Sequence, residues 1–333
     1  MKELTLSVII NVFFGSNIFE KLGKIRYKNP FTGEVSHLDF IQIVIIILND
    51  ELVAWMLPKG KLFPFLQRWK LSEPYKTNKV NVDHFTGVLR DYLETSDEKD
   101  SIYHELLSSG TITKEECLMD CFNMMMAGYD TVAHFLTSAL HFLKKSPDKL
   151  EKLKKAIEKS GLYNAEGKSN SELLETYMEC DYLNYVMKET FRMDAPVVQS
   201  ALYEVVQDVK LCDVKLDKGM LIGIDMVFPH YNPKQYQRPM EFLPERFDPE
   251  NELFFIPGGT KQARNPKSFI PFTFGARNCV GQILAKLEIK VVLVRFLEKI
   301  DYQLSDEIMN NPNCRFAAFE PQHLMGKILK TRY

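Results

Sequence analysis

Five residues within ten positions set the chemistry of this chain. Phe272, Gly275, Arg277, Cys279 and Gly281 stand in the order F-x-x-G-x-R-x-C-x-G. The chain then enters a run with helical apolar spacing: Ile283, Leu284, Leu287, Val291, Val294, Phe296, Leu297 and Ile300. Cys279 is therefore expected at a helix N-terminus. The unpaired backbone N–H groups and positive partial charge of such an end favour a thiolate, and a thiolate ligates metals. On haem iron it donates the electron density that favours cleavage of an O–O bond. The neighbours suit that use. Gly275 permits a tight loop and Gly281 the close approach of a flat macrocycle, Phe272 supplies an apolar cover, and Arg277 can meet a propionate with two parallel hydrogen bonds. The competing reading is a buried structural cysteine beside a glycine-rich turn, and five specified positions weigh against it.

A second constellation lies upstream. Thr113 and Glu116 form a capping box, and apolar periodicity runs from Leu118 to Leu143. The predicted helix has about 32 residues and a length of roughly 48 Å. Within it stands Ala127-Gly-Tyr-Asp-Thr131. Glycine inside a helix costs about 1 kcal/mol against alanine, so something is expected to approach closely there. Otherwise Gly128 is a packing notch for a neighbouring helix and Asp130 is solvated.

A third pattern is electrostatic. Glu189 and Arg192 share one face of an otherwise apolar helix predicted over Tyr182–Met193, and Pro244-Glu-Arg-Phe247 follows.

These motifs, in this order, resemble the cytochrome P-450 family of haem-thiolate monooxygenases, most specifically over residues 113–333. The resemblance implies a mainly α fold with small β-sheets. Residues 1–333 would form one domain, incomplete at the N-terminus, with distal lid helices in 1–112 and the haem-binding core in 113–333. It implies heme b, with Cys279 as the axial iron ligand and Phe272, Gly275, Arg277, Gly281, Ala127 and Gly128 around the cofactor. Thr131 and Asp130 would take the catalytic roles of hydrogen bonding to dioxygen and relaying protons. Glu189, Arg192 and Arg246 would form a buried structural triad under the cysteine loop. The implied activity oxidises an apolar small molecule with dioxygen and electrons from a reductase partner. Two alternatives stay open: a non-catalytic haem-binding remnant, and a haem-thiolate enzyme that uses peroxide or rearranges its substrate. The family also suggests the endoplasmic reticulum membrane surface, or the cytoplasm without an anchor. Tyr203 departs from the pattern, standing roughly where many members carry an arginine, whereas His230 stands where members often carry histidine.

Composition is consistent with a globular protein. The 333 residues include 45% hydrophobic and 26% charged, with a formal net charge of −2, which gives no broad attraction to nucleic acid. Six cysteines without a C-x-x-C pair argue against zinc and disulfide scaffolds. Leu4–Gly15 and Phe40–Leu48 fall short of the ~20 apolar residues that span a bilayer.

The remaining elements must position these groups. Residues 1–110 read as helices and loops: Leu4–Ile18 and Leu38–Leu57 as buried helices, Asp91–His104 as exposed, and Leu62–Trp69 as a connection between lid helices. Ser146-Pro147 opens a charged helix ending at Gly161, and Leu162–Asn170 reads as a loop. Strand signals cover Ala201–Val209, a Val209–Leu211/Val214–Leu216 hairpin and Leu221–Val227. Ala195–Gln199 follows the Glu189 helix as the bend that lines the substrate pocket in the family. Pro249–Phe269 reads as a loop, and Phe316–Phe319 and Met325–Leu329 as closing strands. Lys261, Arg264, Lys267, Lys286 and Lys290 suggest a basic face for an acidic electron-transfer partner.

Overall fold

The computed structural model describes residues 1–46, 73–97, 99–163, 165, 167–306 and 326–331. The expectations for Leu62–Trp69 and Phe316–Phe319, and for the later part of Leu38–Leu57, lie outside these residues. The chain divides into two compact units, Lys2–Asp130 and Thr131–Tyr333. The central helix, Lys114–Lys145, runs through the division with the predicted 32 residues. Its start is the expected box: Thr113 N–H donates to Glu116 Oε2 at 2.9 Å, and Glu116 N–H to Thr113 Oγ1 at 3.2 Å.

The Lys2–Asp130 unit begins with helix Lys2–Phe14, which buries Leu6, Ile9, Ile10, Phe13 and Phe14. Gly15, at φ +99°, stops it short of the expected Ile18. A hairpin follows that the sequence reading missed. Lys24–Lys28 pairs antiparallel with Val35–Asp39, so Leu38 belongs to a strand and not to a helix. The signal was present as strict alternation in Lys-Ile-Arg-Tyr-Lys, where Ile25 and Tyr27 are buried and their neighbours are exposed. Buried Asn81 closes the hairpin's open edge: its side-chain amide accepts from Lys28 N–H at 3.1 Å and donates to Lys28 C=O at 2.8 Å. The core continues through Phe40, Phe85 and Phe122, with ring centroids 5.3 and 5.8 Å apart. Asp91–His104 is also corrected. Tyr92 and Leu93 end helix Glu73–Thr95 with buried side chains, and Tyr103 of helix Ile102–Ser108 is buried too.

In the Thr131–Tyr333 unit the core forms where Phe135, Leu136, Leu140 and Leu143 of the central helix meet Leu183, Val186 and Met187 of helix Asp181–Met193. Ile289, Leu293 and Leu297 of helix Gln282–Lys299 complete it. Pro147–Ser160 is helical with proline in its first turn, and Gly161 ends it in the left-handed region at φ +73°. Helix Asn170–Glu179 starts inside the expected loop, on a Ser169/Glu172 capping box. The predicted Val209–Leu211/Val214–Leu216 hairpin forms with Cys212 and Asp213 at positive φ. The flanking strands are shorter than expected, Tyr203–Glu204 pairing with Leu221–Ile222. Ile300–Leu304 pairs with Gly326–Thr331.

Helix Gln282–Lys299 hides two charged residues. Lys290 is 2% exposed and donates from Nζ to Tyr177 C=O at 3.1 Å, so it belongs to the interior and not to the expected basic face. Glu288 is 6% exposed, and its Oε1 has no hydrogen-bond partner among the described residues. Burial raises its carboxyl from the ordinary 4.5 to about 7. The folded chain then keeps a proton that the unfolded chain releases. The group's stabilising contribution is full below pH 4.5 and falls as pH rises towards 7. Glu288→Gln is expected to gain up to about 3 kcal/mol above pH 7 and nothing near pH 4, as read by urea unfolding at the two pH values.

Candidate functional site

The cysteine loop is built on backbone geometry. Gly275, at φ +82°, opens a 3-10 turn through Arg277. Asn278 N–H returns to Gly275 C=O at 3.2 Å, and Cys279 N–H to Phe272 C=O at 3.1 Å. Thr273 takes φ +59°, uncommon for a β-branched residue, and its hydroxyl donates to Arg277 C=O at 3.4 Å. Helix Gln282–Lys299 starts three residues past Cys279, with Gly281 as N-cap and no side-chain cap. Its first-turn N–H groups are thus close to Cys279 in the chain, and a Cβ on Gly281 would stand 4.0 Å from the Cys279 sulfur.

Cys279 is exposed, as are Arg277 and its apolar neighbours Phe274 (46%), Val280 (82%) and Ile283 (84%). Large apolar side chains so exposed beside a soft ligand atom mark a surface that takes an apolar group. A haem is such a group, and the donor set fits it: one sulfur for the iron, an apolar collar for the ring and a guanidinium for a carboxylate.

Beneath the loop sits a charged cluster of zero exposure. Glu189 Oε2 and Oε1 accept from Arg192 Nε at 2.8 Å and Nη2 at 2.9 Å, and Oε1 also accepts from Arg246 Nε at 3.0 Å and Leu243 N–H at 2.8 Å. The remaining guanidinium protons reach the carbonyls of Gln237, Arg238, Pro239 and Glu241. Such full satisfaction is what a buried charge group requires. The structure brings into contact the three residues that the family resemblance groups as a triad.

His230 was given no role by spacing, yet it joins the cluster to the loop. Its C=O accepts from Arg192 Nη1 at 3.0 Å, while its Nε2 accepts from Ile270 N–H at 3.0 Å, two residues before Phe272. Burial first, and Arg192 second, hold the imidazole down at about 4, so it is neutral and able to accept. Phe191 adds a ring contact with Phe272 at 4.9 Å. Arg264 is also structural: its guanidinium donates to Arg246 C=O at 2.6 Å and lies over Tyr236, Phe247 and Phe254. The basic surface expected near the loop therefore loses Arg264 and Lys290. Tyr203 lies in a short strand, 36% exposed.

The central-helix motif has its own geometry. Ala127 is exposed, while Gly128, Asp130 and Thr131 are partly buried. In the Lys2–Asp130 unit a Cβ on Gly128 would stand 2.2 Å from Ile9 Cδ1, so a neighbouring helix makes a close approach at this glycine. Asp130 pairs with Lys2 at 2.6 Å, both side chains about half exposed, a contact worth about 0–1 kcal/mol. Gly128→Val is expected to cost about 1–3 kcal/mol through overpacking. Ile9→Ala in the same chain should recover much of that loss in thermal unfolding.

Comparison with known proteins gives the family. The family model described as "Cytochrome P450" matches residues 1–324, and the chain belongs to this family. Among curated relatives, Cytochrome P450 3A11 of Mus musculus is 27% identical over 315 residues, covering 90% of this chain and 57% of the mouse protein. Cytochrome P450 3A31 of Mesocricetus auratus is 30% identical over 271 residues, covering 79% of this chain and 49% of the hamster protein. The chain thus spans about half the length of these relatives. The fold is also similar to that of a retinoic acid bound cyanobacterial CYP120A1, with TM-score 0.66 and 20% identity over 92% of this chain and 62% of that one. The family depends on haem iron, and the mainly helical fold with small sheets is the family's fold. Among the described residues no helix is long and apolar enough to cross a membrane.

Proposed function

We propose that this chain is a haem-thiolate monooxygenase that oxidises an apolar small molecule, taking electrons from a reductase partner. The observation that carries the proposal is an exposed cysteine ahead of an uncapped helix N-terminus, ringed by exposed apolar side chains and braced by a buried charge cluster. Bound haem would supply dioxygen activation at its iron. The chain's own residues do the rest. Cys279 would hold the iron through sulfur, with the N–H groups of the first helical turn following it in the chain. Arg277 would meet a propionate of the cofactor, and Phe272, Gly275 and Gly281 would border it. By family resemblance Ala127 and Gly128 would border the cofactor, the Thr131 hydroxyl would be a hydrogen-bond donor, and Asp130 would pass protons from solvent. Glu189, Arg192 and Arg246 hold the loop in place. The remaining basic side chains near it, Lys261, Lys267 and Lys286, offer an acidic reductase a weak docking surface.

The test is reductase-driven turnover of a generic apolar substrate under isotopically heavy dioxygen. One heavy oxygen atom in the product is expected, and product without label contradicts the reading. A second reading, haem binding without turnover, is favoured by Ile9 at Gly128 and by the Lys2–Asp130 pair. It predicts haem uptake with no labelled product, and an Asp130→Asn chain indistinguishable from the parent.

A further inference from the structure

A polar knot in the Thr131–Tyr333 unit takes no part in the chemistry described so far. Asp194 ends the Glu189 helix and is 7% exposed. Its Oδ2 accepts from Ser138 Oγ at 2.6 Å and lies 3.2 Å from His134 Nε2. His134 and Ser138 are four residues apart on the central helix, so one helical face presents both. The backbone beside the knot is held as well: Asp194 N–H donates to Thr190 C=O at 2.9 Å, and the Tyr231 hydroxyl donates to Met193 C=O.

The position of this knot gives it a consequence. Three residues upstream, the Phe191 ring lies 4.9 Å from Phe272 of the cysteine loop and 4.2 Å from Phe135 of the central helix. Residues 195–200 therefore leave from a point bordered by both. Their far end is fixed too. Ser200 N–H donates to Ile224 C=O, Ile224 N–H to Ser200 Oγ, and Met226 N–H to Val198 C=O, each at 2.9 Å. Between the anchors Ala195 and Pro196 are buried, and Val197 is 41% exposed. A buried carboxylate adds little net stability over an apolar residue of similar size, but its hydrogen bonds specify one geometry.

We propose that Asp194 is a positioning residue. With Ser138 and His134 it fixes where the 195–200 segment departs, and so sets the size of apolar molecule admitted beside the cysteine loop. The size-selecting part rests on the haem-thiolate reading, whereas the anchoring part does not.

Two measurements separate them. In haem-free protein, Asp194→Ala is expected to speed amide exchange at Val197, Val198 and Gln199 about tenfold while Val186–Thr190 keep their protection. Ser138→Ala should act in the same direction and more weakly, and it carries the test if Asp194→Ala does not fold. Asp194→Asn, which still accepts from Ser138, should restore most of the protection. In haem-loaded protein, the ratio of dissociation constants for a small and a bulky aryl imidazole, read by absorption, is expected to move about tenfold towards the bulky ligand. Unchanged exchange at 197–199, or an equal rise across the whole unit, overturns the anchoring role. Local exchange with an unmoved ligand ratio overturns the size-selecting role. Loss of the thiolate spectrum in the parent protein sinks only the functional reading, and the exchange result stands by itself.

Discussion

Replacing Glu189 with alanine is expected to cost about 3–5 kcal/mol of folding stability, the usual consequence of leaving buried charge uncompensated. Glu189 accepts from Arg192, Arg246 and the Leu243 backbone, all within 3.0 Å. Without it, two guanidinium groups of zero exposure face each other in the interior. A carboxamide cannot rescue the site, because it offers one acceptor oxygen and no negative charge, so Glu189→Gln should recover only a minor part. Denaturant unfolding of the parent and both variants measures this. A loss below about 1 kcal/mol, the range of exposed ion pairs, would contradict the buried cluster. Haem retention should fall with stability, since Arg192 holds the His230 carbonyl and His230 receives Ile270 N–H just ahead of the loop.

Cys279→Ser has the opposite profile. Cys279 is exposed and donates its backbone N–H to Phe272 C=O in the loop, a contact that serine keeps. Its stability cost should stay within about 0.5 kcal/mol. Activity, in contrast, should disappear, because a serine hydroxyl is a far weaker donor to iron than a thiolate. One variant thus unfolds the support and the other removes the chemistry. Denaturant curves and turnover on the same preparations distinguish them. Retained turnover in Cys279→Ser would show that the sulfur is not the ligand.

The parts of this molecule legible in its sequence are those with a short-range physical rule. The central helix, its capping box and the Cys212-Asp213 hairpin each follow from residues within one turn of one another. The Glu189, Arg192 and Arg246 cluster was reached through family resemblance, since i, i+3 spacing alone is as common on surfaces. Long-range features were not readable. No local pattern says that His230 accepts from Ile270, that Lys290 reaches Tyr177, or that Ile9 meets Gly128 from 119 positions away, because such contacts depend on which faces pack. The Lys24–Lys28 hairpin was readable in principle. Its alternation is clean, but five residues give little weight against a long neighbouring apolar run that reads as helix.

The most direct test of the sulfur ligand is the absorption spectrum of the haem-loaded, reduced protein under carbon monoxide. A haem held by Cys279 gives a main band shifted far to the red of that seen with nitrogen ligands, and Cys279→Ser abolishes the shift. A band at the ordinary nitrogen-ligand position in the parent protein, unchanged by Cys279→Ser, would contradict it.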